Sequence, residues 1–124
     1  MSHKQILIVD DDYSVRATVE LSLEVTTDWE ISTACSGKEG LFLAQSKLPD
    51  LILLDVMMPD VDGIEVLQQL RTNTLTQKIA VIIITAKTLT VEQEKLKHLE
   101  IKGIISKPFD AMNLNKQICL LLDW

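Results

Sequence analysis

The chain lacks the features that mark secreted or membrane-embedded proteins. It has two cysteines in 124 residues, Cys35 and Cys119, which stand far apart with no histidine pattern around them. Such spacing is typical of isolated thiols in a reducing cytosol, so we expect both to be buried and free. No secretory apolar segment follows the N-terminus, and no apolar run approaches the ~20 residues that cross a bilayer. The sequence predicts a cytoplasmic protein with no membrane partner.

Clusters of basic residues are missing as well. The 12 Lys and Arg residues are outnumbered by 18 Asp and Glu residues, which gives a formal net charge of −6. Recognition of a phosphate backbone needs clustered Lys and Arg, so we expect no nucleic acid as a partner. Linkers, repeats and low-complexity segments are also absent. At this length we expect a single domain over residues 1–124 that folds without a metal or a disulfide.

The most informative stretch lies around Asp55. The apolar run Leu51–Leu54 leads directly into this carboxylate, and Pro59 and Gly63 then favour a loop. An apolar run bounded by turn residues is typical of a strand buried on both faces. Open α/β sheets place their ligand sites at the carboxyl ends of strands. Asp55 is therefore a candidate site residue.

Strand-like and helix-like periodicities alternate along the whole chain, which predicts five βα units. The predicted strands are Ile6–Val9, Trp29–Ala34, Leu51–Leu54, Ile79–Ile84 and Gly103–Ser106, with helix starts at Ser36, Asp62, Thr90 and Asp110 after a first helix through Val15, Val19 and Leu23. The first, third and fourth strands are continuously apolar and should be central, with the other two at the edges. We expect an α/β, flavodoxin-like doubly wound five-stranded parallel sheet of order 2-1-3-4-5 with five helices.

Polar side chains follow four of these strands: Asp10, Asp11 and Asp12, then Asp55, then Thr85, then Lys107. The three acids after the first strand would also suit a turn and a helix cap. Carboxylates that meet at one sheet edge repel by about 4 kcal/mol per close pair at an effective dielectric near 20. A cation or a proton must offset this, and oxygen-only ligands suit Mg²⁺.

A phosphoryl group on Asp55 would need hydrogen-bonding and cationic partners for its oxygens. Mg²⁺, the Thr85 hydroxyl and the Lys107 ammonium would supply them. The residues therefore predict a carboxylate that accepts a phosphoryl group.

The chain resembles the receiver domains of bacterial two-component response regulators, of the stand-alone chemotaxis-regulator type, along essentially its whole length. The motifs are Asp10-Asp11, Asp55 with Met58-Pro59 and Asp62-Gly63, Thr85-Ala86, and Lys107-Pro108-Phe109. The resemblance implies that Asp55 is the phosphoacceptor and that Asp10, Asp11, Asp55 and the Met57 backbone carbonyl hold Mg²⁺. It also implies that Thr85 and Lys107 contact the phosphoryl group and that the Lys107–Pro108 peptide is cis.

The same resemblance implies the partners and the activity. The phosphoryl donor would be a sensor histidine kinase or a histidine phosphotransfer protein. With no output domain expected in the chain, signalling would pass to a separate downstream protein. The protein would not be an enzyme beyond Mg²⁺-dependent self-phosphorylation and slow autodephosphorylation.

Two positions bear on the output and the lifetime of the signal. Receivers commonly carry Tyr or Phe three residues before the lysine, where this chain has Ile104, so the aromatic half of the usual switch is missing. Output through the fourth helix, fifth strand and fifth helix remains the expectation. Two residues past Asp55, Met57 cannot orient an attacking water by hydrogen bonding. This predicts slow autodephosphorylation.

Three alternatives stay open at this point. Asp10, Asp12 and Ser14 also fit the Asp-x-Asp-x-Ser pattern of haloacid-dehalogenase-type phosphatases, in which Asp10 would be the nucleophile. A protein-interaction module that works without phosphorylation would share the fold. The apolar end of the last helix could pack on the sheet, or Leu120 or Trp124 could form a homodimer or partner patch.

Overall fold

A computed structural model describes residues 4–56, 63–85 and 99–124. The strands are Gln5–Val9 (β1), Glu30–Ala34 (β2), Leu51–Leu54 (β3), Ala80–Thr85 (β4) and Gly103–Ser106 (β5). The α-helices within these ranges are Tyr13–Thr26 (α1), Gly37–Lys47 (α2), Gly63–Thr72 (α3) and Leu114–Leu122 (α4), the last preceded by a 3-10 turn at Ala111–Asn113. The helix expected to start at Thr90 lies outside the described residues.

The strands form one parallel sheet in the order β2-β1-β3-β4-β5. In the register, Ile8 lies opposite Thr33 on one side and Leu53 on the other. Chain order reverses between β1 and β3, because β2 lies on one side of β1 while β3, β4 and β5 follow on the other. The predicted order and the parallel α/β class are therefore confirmed.

The two faces of the sheet bury two separate apolar clusters. Successive strand residues point to opposite faces. Leu7 and Ile52 pack with α2 and α3, while Leu51 and Ile82 pack with α1 and α4. Each Leu or Ile that is fully buried contributes roughly 1.5–3 kcal/mol to stability. Because helices cover both faces, the ends of the strands are where the polar side chains of a site can gather.

Local hydrogen bonds explain where α2 begins. Ser36 is its N-cap and accepts from the Glu39 backbone N–H at 3.1 Å. The Glu39 carboxylate accepts in turn from the backbone N–H of Cys35 at 2.8 Å, one residue before the cap. The expectation of two buried thiols is wrong for Cys35, which is exposed, while Cys119 is half-buried. Cys35 follows the last residue of β2, where the sheet no longer covers it.

The chain end packs against the amino edge of the sheet. The Trp124 ring meets the Trp29 ring edge-on with centroids 5.4 Å apart, and Lys4 Nζ lies 4.7 Å from the Trp124 ring centre. Leu120 is 83% exposed, and a homodimer through it stays a prediction. Within the described ranges, no helix has the length and apolar character needed to cross a membrane.

Candidate functional site

Backbone hydrogen bonds of the sheet carry the candidate site residues one position beyond the strand ends. The N–H of Asp10 donates to Ala34 O at 3.1 Å, and the N–H of Asp55 donates to Val9 O at 2.9 Å. The N–H of Lys107 likewise donates to the carbonyl of Thr85, also at 2.9 Å. Each Cα is therefore set by the ladder of a neighbouring strand. Their side chains share the carboxyl edge of the sheet because all the strands are parallel.

Lys107 joins two buried acids at this edge. Its Nζ lies 3.0 Å from Asp10 Oδ2 and 3.4 Å from Asp55 Oδ2. Asp10 and Asp55 are 2% and 5% exposed, respectively. Burial alone would lower the pKa of Lys107, but the hydrogen bond and charge of Asp10, together with Asp55, raise it above its usual value. The lysine is thus held as an ammonium that offsets part of the negative charge.

Three carboxylates meet closely enough to share one cation. One oxygen from each of Asp10, Asp11 and Asp55 lies within 4.8 Å of the other two. Mg²⁺ binds oxygen at about 2.1 Å in an octahedron, so opposite ligands of one ion are about 4.2 Å apart. Neighbouring ligands lie about 3.0 Å apart, and at most one pair of the three can be opposite, so the oxygens would draw together around a bound ion. The donor set, which is all oxygen and mostly charged, also matches the preference of Mg²⁺. The cluster therefore fits a magnesium ion.

The turn between β1 and α1 is shaped by its own acids. Asp10 Oδ1 accepts from the backbone N–H of Asp12 at 2.9 Å. Asp12 is the N-cap of α1, and its Oδ1 accepts from the N–H and the hydroxyl of Ser14. The hydrogen bonds from Ser14, with a further one from the N–H of Val15, lower the pKa of Asp12. Of the three acids, Asp12 is therefore the helix cap, while Asp10 and Asp11 belong to the site cluster.

Gly63 brings the start of α3 against the site. A Cβ built at this position would lie 2.3 Å from the Val56 Cα and 2.6 Å from the carbonyl oxygen of Asp55. Both are backbone atoms, which cannot move aside cheaply. The N–H of Gly63 also donates to Val56 O at 3.2 Å. Glycine is therefore required here for close approach.

Thr85 is buried at the end of β4, where it lies opposite Ser106 of β5 in the register. The Lys107–Pro108 peptide is cis, as the resemblance implied. Ile104 is partly buried against the apolar cluster on the α2 and α3 side. Met57, the expected carbonyl ligand, lies outside the described residues, as do Met58, Pro59, Asp62 and Ala86 of the quoted motifs.

Arg16 was not among the sequence-based candidates, yet it contacts the site. Its Nη1 donates to the backbone carbonyl oxygen of Asp10 at 2.7 Å. A lone arginine near the start of a helix is an ordinary surface residue, and nothing in the spacing distinguishes this one. The Arg16 side chain reaches the end of β1 because α1 lies beside that strand in the fold.

The family model for the response regulator receiver domain matches residues 6–119. The chain belongs to this family, whose members are the phosphate-accepting components of two-component signalling. Among solved structures, the chemotaxis protein CheY4 of Vibrio cholerae superimposes with a TM-score of 0.89 at 28% identity, over 97% of this chain and 99% of that one. The N-terminal domain of a response regulator receiver protein from Methanoculleus marisnigri gives a TM-score of 0.79 at 35% identity, over 99% of each chain.

One curated relative is about twice as long as this chain. The alkaline phosphatase synthesis transcriptional regulatory protein PhoP of Bacillus subtilis is 37% identical over 122 residues, which cover 97% of this chain. The match covers 49% of that relative. The chain thus spans about half the length of this curated relative.

Proposed function

We propose that this receiver accepts a phosphoryl group on Asp55 from a phosphohistidine donor. The observation that supports it best is the placement of Lys107, whose Nζ lies within 3.4 Å of both Asp55 and Asp10. A cation held at that position can neutralise charge on a phosphoryl group attached to Asp55. Thr85, two residues beyond the last register pair of β3 and β4, adds a hydroxyl at the same edge.

The proposed reaction is a nucleophilic displacement at phosphorus. One Asp55 oxygen forms the new O–P bond while the P–N bond of the donor breaks, and the electron pair returns to the imidazole nitrogen. Lys107 and Thr85 orient and stabilise the transferring group by charge and hydrogen bonding. The protein's own contribution is positioning, because the donor already carries the activated phosphoryl group.

Asp10, Asp11 and Asp55 would hold the Mg²⁺ ion, with the Met57 carbonyl as the remaining protein ligand. A bound Mg²⁺ supplies charge neutralisation for the phosphoryl oxygens. The protein side of this arrangement is a cluster of acids that is costly without a cation. We expect Mg²⁺ to stabilise the fold as well as to support phosphorylation.

The partners follow from this chemistry. The donor is a sensor histidine kinase or a histidine phosphotransfer protein, and the phosphorylated face acts on a downstream protein. We propose a cytoplasmic location and no catalytic turnover of other substrates beyond self-phosphorylation and slow loss of the phosphoryl group. Because Ile104 replaces the usual aromatic ring, the conformational change that follows phosphorylation depends on Thr85 and Lys107.

Intact-mass spectrometry with Mg²⁺ and the small phosphodonor acetyl phosphate tests the proposal. Wild type should gain one phosphoryl group, about 80 Da by the chemistry of the adduct, and Asp55→Asn should gain none. Asp10→Asn should still be labelled on Asp55, but more slowly than wild type. No mass gain in wild type, under conditions that label another receiver, would favour an interaction module that works without phosphorylation.

The same experiment addresses the phosphatase alternative. If Asp10 were the nucleophile, labelling would disappear in Asp10→Asn and persist in Asp55→Asn.

A further inference from the structure

The peptide between the two acids that follow β1 has an additional anchor. The last register pair of β1 and β2 is Val9 with Ala34. Asp10 lies one residue beyond it, and its carbonyl oxygen accepts from Arg16 Nη1 at 2.7 Å. A hydrogen bond from a charged donor is stronger than one from a neutral donor. The Asp10 carbonyl is thus held by a side chain where the sheet has ended.

This contact bears directly on both acids. The Asp10 carbonyl belongs to the planar peptide that joins Asp10 to Asp11. Holding that plane limits rotation on either side of it, so it also limits the directions in which the two carboxylates leave the backbone. The Asp10 side chain has further anchors in Asp12 and Lys107. Asp11 is exposed, so a fixed peptide plane would limit the directions in which its carboxylate can approach the cluster.

Arg16 is itself held in place. It is half-buried in α1, its N–H donates to Asp12 O at 3.0 Å, and its guanidinium carbon lies 5.7 Å from the centre of the Tyr13 ring. The helix that Asp12 caps therefore delivers the guanidinium back to the strand end. Because the helix start and the ring restrict the side chain, less freedom is lost when the hydrogen bond forms.

We propose that Arg16 is a positioning residue for the divalent-cation site, acting through the Asp10–Asp11 peptide. This inference rests on the magnesium site of the proposed function. Partners that orient metal ligands typically matter 10- to 100-fold for metal affinity. A purely electrostatic role has the opposite sign, because removing a positive charge near the site would strengthen cation binding. The direction of the change therefore separates the two roles.

The test is calorimetric titration of the full chain with MgCl₂, without phosphodonor. Arg16→Met should weaken Mg²⁺ binding about 10-fold, and Arg16→Lys should weaken it less because an ammonium can still donate to the carbonyl. The matched control is Arg71→Met. Arg71 is also half-buried and donates to backbone carbonyls, those of Ile79 and Leu99 at 2.8 Å, but these residues precede β4 and β5 at the opposite edge.

Arg71→Met should lower the free energy of unfolding in urea and leave the Mg²⁺ affinity within about twofold of wild type, since its contacts lie away from the acids. Unchanged or tighter Mg²⁺ binding in Arg16→Met would overturn the inference, as would equal weakening in Arg71→Met. If Arg16→Met does not fold, Arg16→Gln is judged by the same outcomes. Failure of wild type to bind millimolar Mg²⁺ would instead refute the proposed magnesium site.

Discussion

Lys107 and Asp10 form a 3.0 Å ion pair although 97 positions separate them in the chain. The two residues follow β5 and β1, and β3 and β4 lie between these strands in the sheet. The pair forms because the four strands are parallel and in register, so their ends lie at the same edge. The site is therefore a property of the complete sheet, and a change in β5 reaches the acids after β1.

Replacing Lys107 with Met should destabilise the protein in magnesium-free buffer. The change removes the ammonium from between two buried carboxylates, and breaking one partner of a buried pair leaves an uncompensated charge. Because the Lys107 side chain is 18% exposed, we expect a loss of about 2 kcal/mol in the free energy of unfolding at pH 7, below the full cost of a dry pair. Urea unfolding followed by tryptophan fluorescence measures it. The exposed Lys102, replaced in the same way, should change little, and equal losses in the two variants would contradict this prediction.

The stabilising contribution of Lys107 should be constant around neutral pH and should fall only at strongly alkaline pH. Its pKa is raised above the usual 10.5 in the folded chain. A group of this kind contributes its full stabilisation below its unfolded pKa and loses it as the pH rises through its folded pKa. The difference in unfolding free energy between wild type and Lys107→Met should thus be the same at pH 7 and pH 9. A difference that grows between these two values would show instead that the folded pKa is lowered.

Magnesium should stabilise the fold through Asp11. This acid is exposed, so Asp11→Asn removes a ligand without disturbing the core. At ten times the dissociation constant, ion binding adds about 1.4 kcal/mol to the free energy of unfolding. We expect this gain in wild type and a smaller one in Asp11→Asn at the same MgCl₂ concentration, measured by urea unfolding. The control is Asp123→Asn, which makes the same charge change beside the Trp124 contact, and it should keep the full gain.

Gly63→Ala should be more harmful than an ordinary glycine substitution. The new Cβ would meet backbone atoms of Val56 and Asp55 at 2.3 and 2.6 Å, so α3 or the phosphoacceptor must shift. Overpacking of this kind costs about 1–3 kcal/mol. We expect lower stability and slower labelling by acetyl phosphate, read by urea unfolding and intact mass.

The matched control is Gly40→Ala in α2. Its Cβ would meet side-chain methyls of Val9 at 2.9 Å rather than backbone atoms, and the shift this requires of Val9 is opposed by the gain of about 1 kcal/mol for alanine over glycine in a helix interior. This variant should be close to wild type in labelling. Wild-type labelling and stability in Gly63→Ala would show that the start of α3 can move away without affecting Asp55.

The features that could be predicted from the sequence are those with a local or periodic cause. Unbroken apolar runs identify strands covered on both faces, which led to the order of the sheet and to the shared edge of Asp10, Asp55 and Lys107. Leu48 shows the limit of periodicity. It continues the apolar spacing of α2, yet it is the C-cap in a left-handed conformation with φ 48° and is exposed.

The contacts of long side chains and the close approaches of the backbone could not be predicted from the sequence. Arg16 reaches the Asp10 carbonyl only because α1 folds back beside β1. The need for glycine at position 63 depends on the path of the chain at Asp55 and Val56, which no local pattern encodes. Both are consequences of tertiary packing rather than of residue preference.

The lifetime of the phosphoryl group should depend on Met57, two residues past Asp55. Hydrolysis of an aspartyl phosphate needs a water aligned with the bond that breaks, and a thioether offers no donor and only a weak acceptor to hold it. An amide can do both, so Met57→Asn should shorten the half-life about 10-fold, equivalent to about 1.4 kcal/mol of barrier. The protein is labelled with acetyl phosphate, freed of donor and followed by intact mass in excess Mg²⁺. Met112→Asn, at a methionine that is 80% exposed on the 3-10 turn, should keep the wild-type half-life. An unchanged or longer half-life in Met57→Asn would contradict a role of this position in orienting the attacking water.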